Sequence, residues 1–225
     1  SDLVVGGGKA TAKMAAGLVQ AIGDQIALRG RINVPVGTAR DLDLGDIHVC
    51  EARPAGMNEP TPLAVAGTDA ILADVASASP RDLCITLLSG GGSALLVAPP
   101  PDISLSDKLA VTRFLSSSGA SIHQLNTVRK RLSRIKGGGL LRACTARQML
   151  TLVLSDVIGD PLEIIASGPT VPDTSAPSAA IDVLERFDPQ QTLPPSIYQY
   201  LRTDRIARSV PHCTDRSEER RVGKE

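Results

Sequence analysis

"LCITLLSGGGSALL", residues 83–96, places five small residues, Ser89, Gly90, Gly91, Gly92 and Ser93, between two apolar runs. A turn needs one or two glycines. Three in a row between serines mean that something approaches the backbone closely. The apolar run ahead of them, 83–88, suits a strand buried on both faces. The same order occurs at the start of the chain. A short apolar run, 2–5, ends in Gly6, Gly7 and Gly8. A helical pattern then covers 9–28, with Met14, Leu18, Ile22 and Ile26 four apart.

The rest of the chain keeps to this alternation. Strands are expected at 31–36, 47–51 and 148–154, and helices at 63–77, 121–135 and 179–187. Ser104 is placed to cap a further helix, with Ser106 and Asp107 in its first turn. The stretch 53–62, rich in Pro, Gly and Asn, reads as loop, and so does 169–177. Strands alternating with helices predict an α/β fold: a doubly wound, mostly parallel sheet with helices on both faces, Rossmann-like.

Composition agrees. Hydrophobic residues make up 42% and aromatic ones 2%, so the core is built from Leu, Val, Ile and Ala, as in buried parallel strands. Lys plus Arg and Asp plus Glu both number 24. That balance gives no bulk charge to favour nucleic acid or a membrane surface. No apolar stretch is long enough to span a bilayer. The four cysteines form no CxxC pair and read as a reduced, cytoplasmic set. Residues 212–225 are charge-dense without apolar periodicity; they are read as a disordered or foreign tail and set aside from the fold.

In an open α/β sheet, ligands bind beyond the carboxyl ends of the strands. Both glycine clusters fall there. Glycine amides free of Cβ atoms, followed by a helix N-terminus, favour an anion, phosphate above all. On this reading residues 89–93 form a cradle, with the Ser89 and Ser93 hydroxyls as further donors, and the second cluster, with Gly7 and Gly8, strengthens the ligand reading. The alternative is a tight turn under close packing. Neither cluster is a standard nucleotide fingerprint: GxGxxG fails at Thr11, and the Walker pattern fails at Leu3 and Ala10. Lys9, at the start of a helix, opposes the helix dipole unless an anion sits beside it. "NTVRKRLSRIKGGG", 126–139, shows a helix face of Val128, Leu132 and Ile135 with Arg129, Lys130, Arg131, Arg134 and Lys136 around it. A small polyanion fits it better than nucleic acid, which the scarce aromatics disfavour. "LVLSDVIGDPLEIIASGPTVPD", 152–173, brings Ser155 and Asp156 to a strand end, with Ser167 after them. Asp156 can hold a metal or accept a hydroxyl proton, or cap a turn.

"VVGGGKATAKMAAGL", "LLSGGGSALL", "GASIHQLNTVRKRLSRIKGGGLLRA" and the Asp156 segment together resemble the glycerate 2-kinase family of the MOFRL type, whose members are often labelled hydroxypyruvate reductase. "EARPAGMNEPT" resembles one branch of it. The resemblance implies ATP-dependent phosphorylation of D-glycerate to 2-phosphoglycerate, with Mg2+ or another divalent metal, in the cytoplasm. It carries the active-site lysine onto Lys9, the SGGGS loop onto 89–93 and the Ser-Asp turn onto Ser155 and Asp156. Lys9 and Asp156 are the expected catalytic residues, with Asp156 also the metal candidate. Gly7, Gly8, Ser89, Gly90, Gly91, Gly92, Ser93, Arg129, Lys136, Ser155 and Ser167 are the expected substrate and phosphate contacts.

Family members continue into a C-terminal MOFRL domain and bind substrates between the two. Residues 1–211 therefore read as the N-terminal α/β domain, incomplete at both ends, and as an inactive fragment by itself. A homodimer stays open. Two rivals remain: an NAD(P)H-dependent hydroxypyruvate reductase, against which the missing dinucleotide fingerprint argues, and a non-enzymatic small-anion-binding domain.

Overall fold

The computed structural model describes residues 2–155, 159 and 161–207. Five strands, β1 (Asp2–Gly7), β2 (Leu28–Pro35), β3 (Asp46–Arg53), β4 (Leu83–Ser89) and β5 (Gln148–Leu154), form one sheet in the order β3-β2-β1-β4-β5. Every neighbouring pair is parallel, as the continuous apolar runs of β1 and β4 required. The chain winds outward from β1 through β2 to β3, then returns to β4 and winds the other way. The topological switch lies between β1 and β4, where such sheets open a crevice.

Two cores cover the sheet. On one face α1 (Thr11–Ile22) buries Ala12 and Ala15 against Val4, Ile32, Ile85 and Leu87. On the other, α2 (Pro62–Ala76) buries Ile71, Leu72 and Val75 against Leu3, Val5 and Leu88, joined by Leu96, Ile135 and Leu140. Thr61 caps α2, its hydroxyl accepting from the Ala64 N–H, with Pro62 opening the helix. A third cluster packs α4 (Leu105–Ser117), α5 (Ile122–Arg131), α7 (Ala179–Phe187) and α8 (Pro195–Ala207) together. Short helices α3 (Gly92–Leu95) and α6 (Gly139–Ala143) lie between. Among the described residues, no helix is long and apolar enough to cross a membrane.

Two expected helices are shorter than their periodicity suggested. The 9–28 pattern holds only from Thr11 to Ile22; Gly23 ends it, its N–H donating to Val19 O, and Leu28 already belongs to β2. Lys9 therefore precedes the helix, with Ala10 at the N-cap. The 121–135 pattern breaks after Arg131 because Ser133 Oγ accepts from the N–H groups of Ile135 and Lys136, which a helix would have bonded to its own carbonyls. Arg134 N–H turns away to Ala98 O. Leu132 and Ile135 stay buried all the same, so the apolar spacing was sound although the helix was not.

Candidate anion-binding site

The two glycine loops meet at the switch. Lys9 N–H donates to Gly90 O at 2.9 Å, and Ala10 N–H donates to Ser89 Oγ at 3.0 Å. Thr11 Oγ1 lies 3.3 Å from the same Ser89 oxygen. Ser89 is buried and staples the first turn of α1 to the end of β4, so its hydroxyl is engaged within the fold. Most of the glycines serve this contact: a Cβ on Gly6 would fall 2.0 Å from Leu87 O, and one on Gly8 2.1 Å from Ser89 Oγ. Gly7 and Gly92 are filled in similarly by Leu96 and Ala166.

Gly91 differs. Its φ of +79° suits glycine, and its missing Cβ would point at Arg53 Nη2, 3.0 Å away, and at Lys9 Cγ and Cε, both 3.2 Å away. Around it, the backbone N–H groups of Gly90, Gly91, Gly92 and Ser93 meet no acceptor among the described residues. Amides without acceptors beside two cations suit an anion.

Beyond Ser93 lies a second group. Ser93 Oγ is 3.4 Å from Ser167 Oγ, which donates to Asn126 Oδ1 at 3.2 Å; Arg129 Nη1 reaches the same Asn126 oxygen at 3.4 Å. Lys136 Nζ donates to Ser93 O and Ala166 O, each at 3.1 Å. Lys108 Nζ donates to Leu132 O and Arg129 O. Burial, then the charges of Arg129 and Lys108, push the Lys136 ammonium well below its ordinary range. Burial, helped by Arg129, brings Lys108 down to about 7. Among the described residues none of Lys9, Arg53, Lys108, Arg129 or Lys136 pairs with a carboxylate. Burial and mutual repulsion disfavour the charged form of both lysines, so Arg129 is the lasting charge of this group in the free domain.

The basic stretch is thus divided. Lys130 and Arg131 pair with Asp173, and Arg134 with Asp69. Arg129 and Lys136 are left for the site. Ser167 owes its placement to strain: Ala166 and Ser167 have φ of +51° and +63°, rare for residues with side chains. Gly137 and Gly138 hold that turn, their N–H groups donating to Ser167 O and Gly168 O. The third glycine cluster is therefore the brace for Ser167. Ser155 follows β5 directly. Asp156, the expected catalytic and metal-binding carboxylate, lies outside the described residues. Arg53, Asn126, Lys108 and Ala166 escaped the sequence reading; only the switch-point topology brings them here.

A doubly wound α/β domain with a crevice at its switch point has the architecture in which open parallel sheets take their ligands. Residues 2–202 match the family described as "Domain of unknown function (DUF4147)", and the chain belongs to that family. It is 39% identical to the glycerate kinase of Danio rerio over 207 residues, covering 88% of this chain and 41% of that protein. It is 39% identical to the glycerate kinase of Rattus norvegicus over 218 residues, 93% of this chain and 41% of that one. An Agrobacterium vitis protein with a provisional hydroxypyruvate reductase name is 42% identical over 187 residues, 82% of this chain and 41% of its own length. The crystal structure of the Thermotoga maritima glycerate kinase superposes with a TM-score of 0.77 at 36% identity, over 89% of this chain and 46% of that one. That of the PH0495 protein of Pyrococcus horikoshii OT3 gives 0.80 at 36% identity, over 91% and 45%. The chain thus spans about two-fifths of the length of these curated relatives.

Proposed function

We propose that this domain supplies one wall of the active site of a glycerate 2-kinase, which transfers the terminal phosphoryl group of ATP to the 2-hydroxyl of D-glycerate. The observation that carries the reading is the convergence on the β1/β4 switch of Lys9, Arg53, Arg129 and Lys136 without carboxylate partners among the described residues. Phosphoryl transfer depends on positioning and charge neutralisation more than on covalent chemistry. Lys9, exposed and lying across Gly91, neutralises the phosphoryl oxygens in flight. The amides of residues 90–93 and the Ser93–Ser167 pair orient the oxygens that do not react. Arg129 holds the crevice positive, and Lys136, whose ammonium burial disfavours in the free domain, regains its proton beside a bound anion. Asp156 takes the role of drawing the proton from the attacking hydroxyl. The setting is the cytoplasm.

The described residues do not build a magnesium site of their own. They contain no cluster of three His, Cys, Asp or Glu side chains, and the crevice is lined with cations. Asp156, the metal candidate, lies outside the described residues; it and the phosphates of the nucleotide would hold a magnesium ion, which would neutralise phosphate charge.

The test is a chimera. Residues 2–202 replace the matching segment of the Rattus norvegicus glycerate kinase, and the product of ATP and D-glycerate is identified. Formation of 2-phosphoglycerate supports the reading. A folded chimera that instead oxidises NADH with hydroxypyruvate overturns it in favour of the reductase name carried by the Agrobacterium relative.

A further inference from the structure

Arg53 ends β3, at a register shift that sets two consecutive residues, Ala52 and Arg53, towards the interior. Such bulges re-aim a side chain. The residue is only 2% exposed, and Arg53 is among the largest fully buried side chains. Its charge persists despite burial, because a guanidinium does not lose its proton at working pH. Nη1 makes one long contact, 3.4 Å to Asn58 Oδ1. Nε is buried and meets no acceptor. Nη2 lies against Gly91 and also finds none among the described residues. Nε and Nη2 share one edge of the guanidinium, so two parallel N–H groups are left without an acceptor together, beside the Lys9 side chain.

We propose that this edge is the receptor for the carboxylate of the acceptor acid, and that Arg53 thereby selects a carboxylate-bearing acceptor over inorganic phosphate. The proposal rests on the kinase reading above. A buried, unpaired guanidinium is costly, and a ligand that pairs with it recovers that cost on binding. Two parallel donors fit the two oxygens of a planar carboxylate. The single charge of a carboxylate matches the single charge of Arg53. The denser group past Ser93 is left for the more highly charged phosphates: Arg129 is charged, and Lys136 and Lys108, held below their ordinary range by burial, take up protons as phosphate charge arrives. Gly91 separates the two, and its missing side chain lets the acid reach Arg53. Lys9 is the only exposed member and is free to swing aside as the acid enters.

The test is direct binding to the 225-residue chain by calorimetry, with D-glycerate, D-lactate and inorganic phosphate as separate probes. Arg53→Lys keeps the charge and loses the fork. It should weaken D-glycerate and D-lactate by about tenfold to a hundredfold, the scale of a charge-assisted pair, and leave phosphate unchanged. Asn58→Asp puts a competing carboxylate beside the intact arginine, and should weaken both acids even where Arg53→Lys fails to fold. Equal loss of acids and phosphate overturns the proposal, because Arg53 then serves as a general charge. So does acid binding that neither variant alters, or an unmodified chain that binds neither acid. Selective loss of acid binding, with a chimera that never phosphorylates glycerate, would keep the carboxylate receptor and discard the kinase.

Discussion

Lys9 and Gly91 touch in the structure but answer different questions. Lys9 is exposed, so Lys9→Ala should change stability by under about 1 kcal/mol. In the chimera it should slow turnover about a hundredfold or more, the scale of one lost electrostatic group at a reacting centre. Near-normal turnover with normal thermal unfolding would remove Lys9 from the phosphoryl path. Gly91→Val acts on the crevice itself. A β-branched residue at φ +79° is strained by about 1–2 kcal/mol. Its Cβ would also stand 3.0 Å from Arg53 Nη2, in the space assigned to the acid. D-glycerate binding should vanish while the melting temperature falls only modestly. Binding that survives the valine would return Gly91 to ordinary turn chemistry.

At the scale of elements, Lys108 fastens α4 to the carboxyl end of α5, donating to Leu132 O and Arg129 O from a fully buried position. Burial brings it from an ordinary 10.5 to about 7. Between those values the unfolded chain binds the proton and the folded one does not. Stability should therefore rise with pH across the window, by at most about 1.4 kcal/mol per pH unit, and be flat in this respect below it. Lys108→Met removes that titration and the two hydrogen bonds. Denaturant unfolding of both proteins should show the unmodified chain gaining on the variant as pH rises from 7 towards 10; parallel curves would mean that Lys108 stays protonated in the fold. Lys108 also shows where the sequence stops being legible. Parallel strands announce themselves as apolar runs, and the glycine turns mark their ends, so the sheet and two glycine loops at its carboxyl edge could be read; that Lys9 meets Gly91 follows from the pairing of β1 with β4. A lysine four residues into a capped helix looks solvated, and nothing local says that α5 will end against it. Arg53 is hidden for a similar reason: its loop reads as loop, and its bulge and neighbours across the switch are properties of the sheet. Ser133 cut short a helix that apolar spacing extended, because a side-chain hydroxyl competing for amides leaves no trace in hydrophobic periodicity.

At the scale of the molecule, the two edges of the sheet are unlike. The β3 edge carries Asp46, His48 and Glu51, charged or polar groups that discourage pairing with another strand. The β5 edge, QMLTLVL, has no charge and no proline. Met149 and Val153 pack into the core beneath α2, but Leu150, Leu152 and Leu154 on the opposite face are 46%, 38% and 54% exposed. They continue the row of Ile85 and Leu87, which pair with Leu150 and Leu152 and are buried under α1. An uncharged edge strand with an exposed apolar face promotes association. The 225-residue chain alone should therefore run larger than a monomer in light scattering, increasingly so with concentration. Leu152→Lys should shift it towards monomer without lowering its melting temperature, since an exposed leucine contributes little to folding. The same chain, given ATP, magnesium and D-glycerate, should form no 2-phosphoglycerate. Its crevice holds one set of cations on one wall, and alignment of two substrates away from water supplies much of the rate in phosphoryl transfer. A monomeric chain turning over at about 1–100 per second, the usual kinase range, would show that the site is complete within these residues and that the cationic crevice needs no second wall.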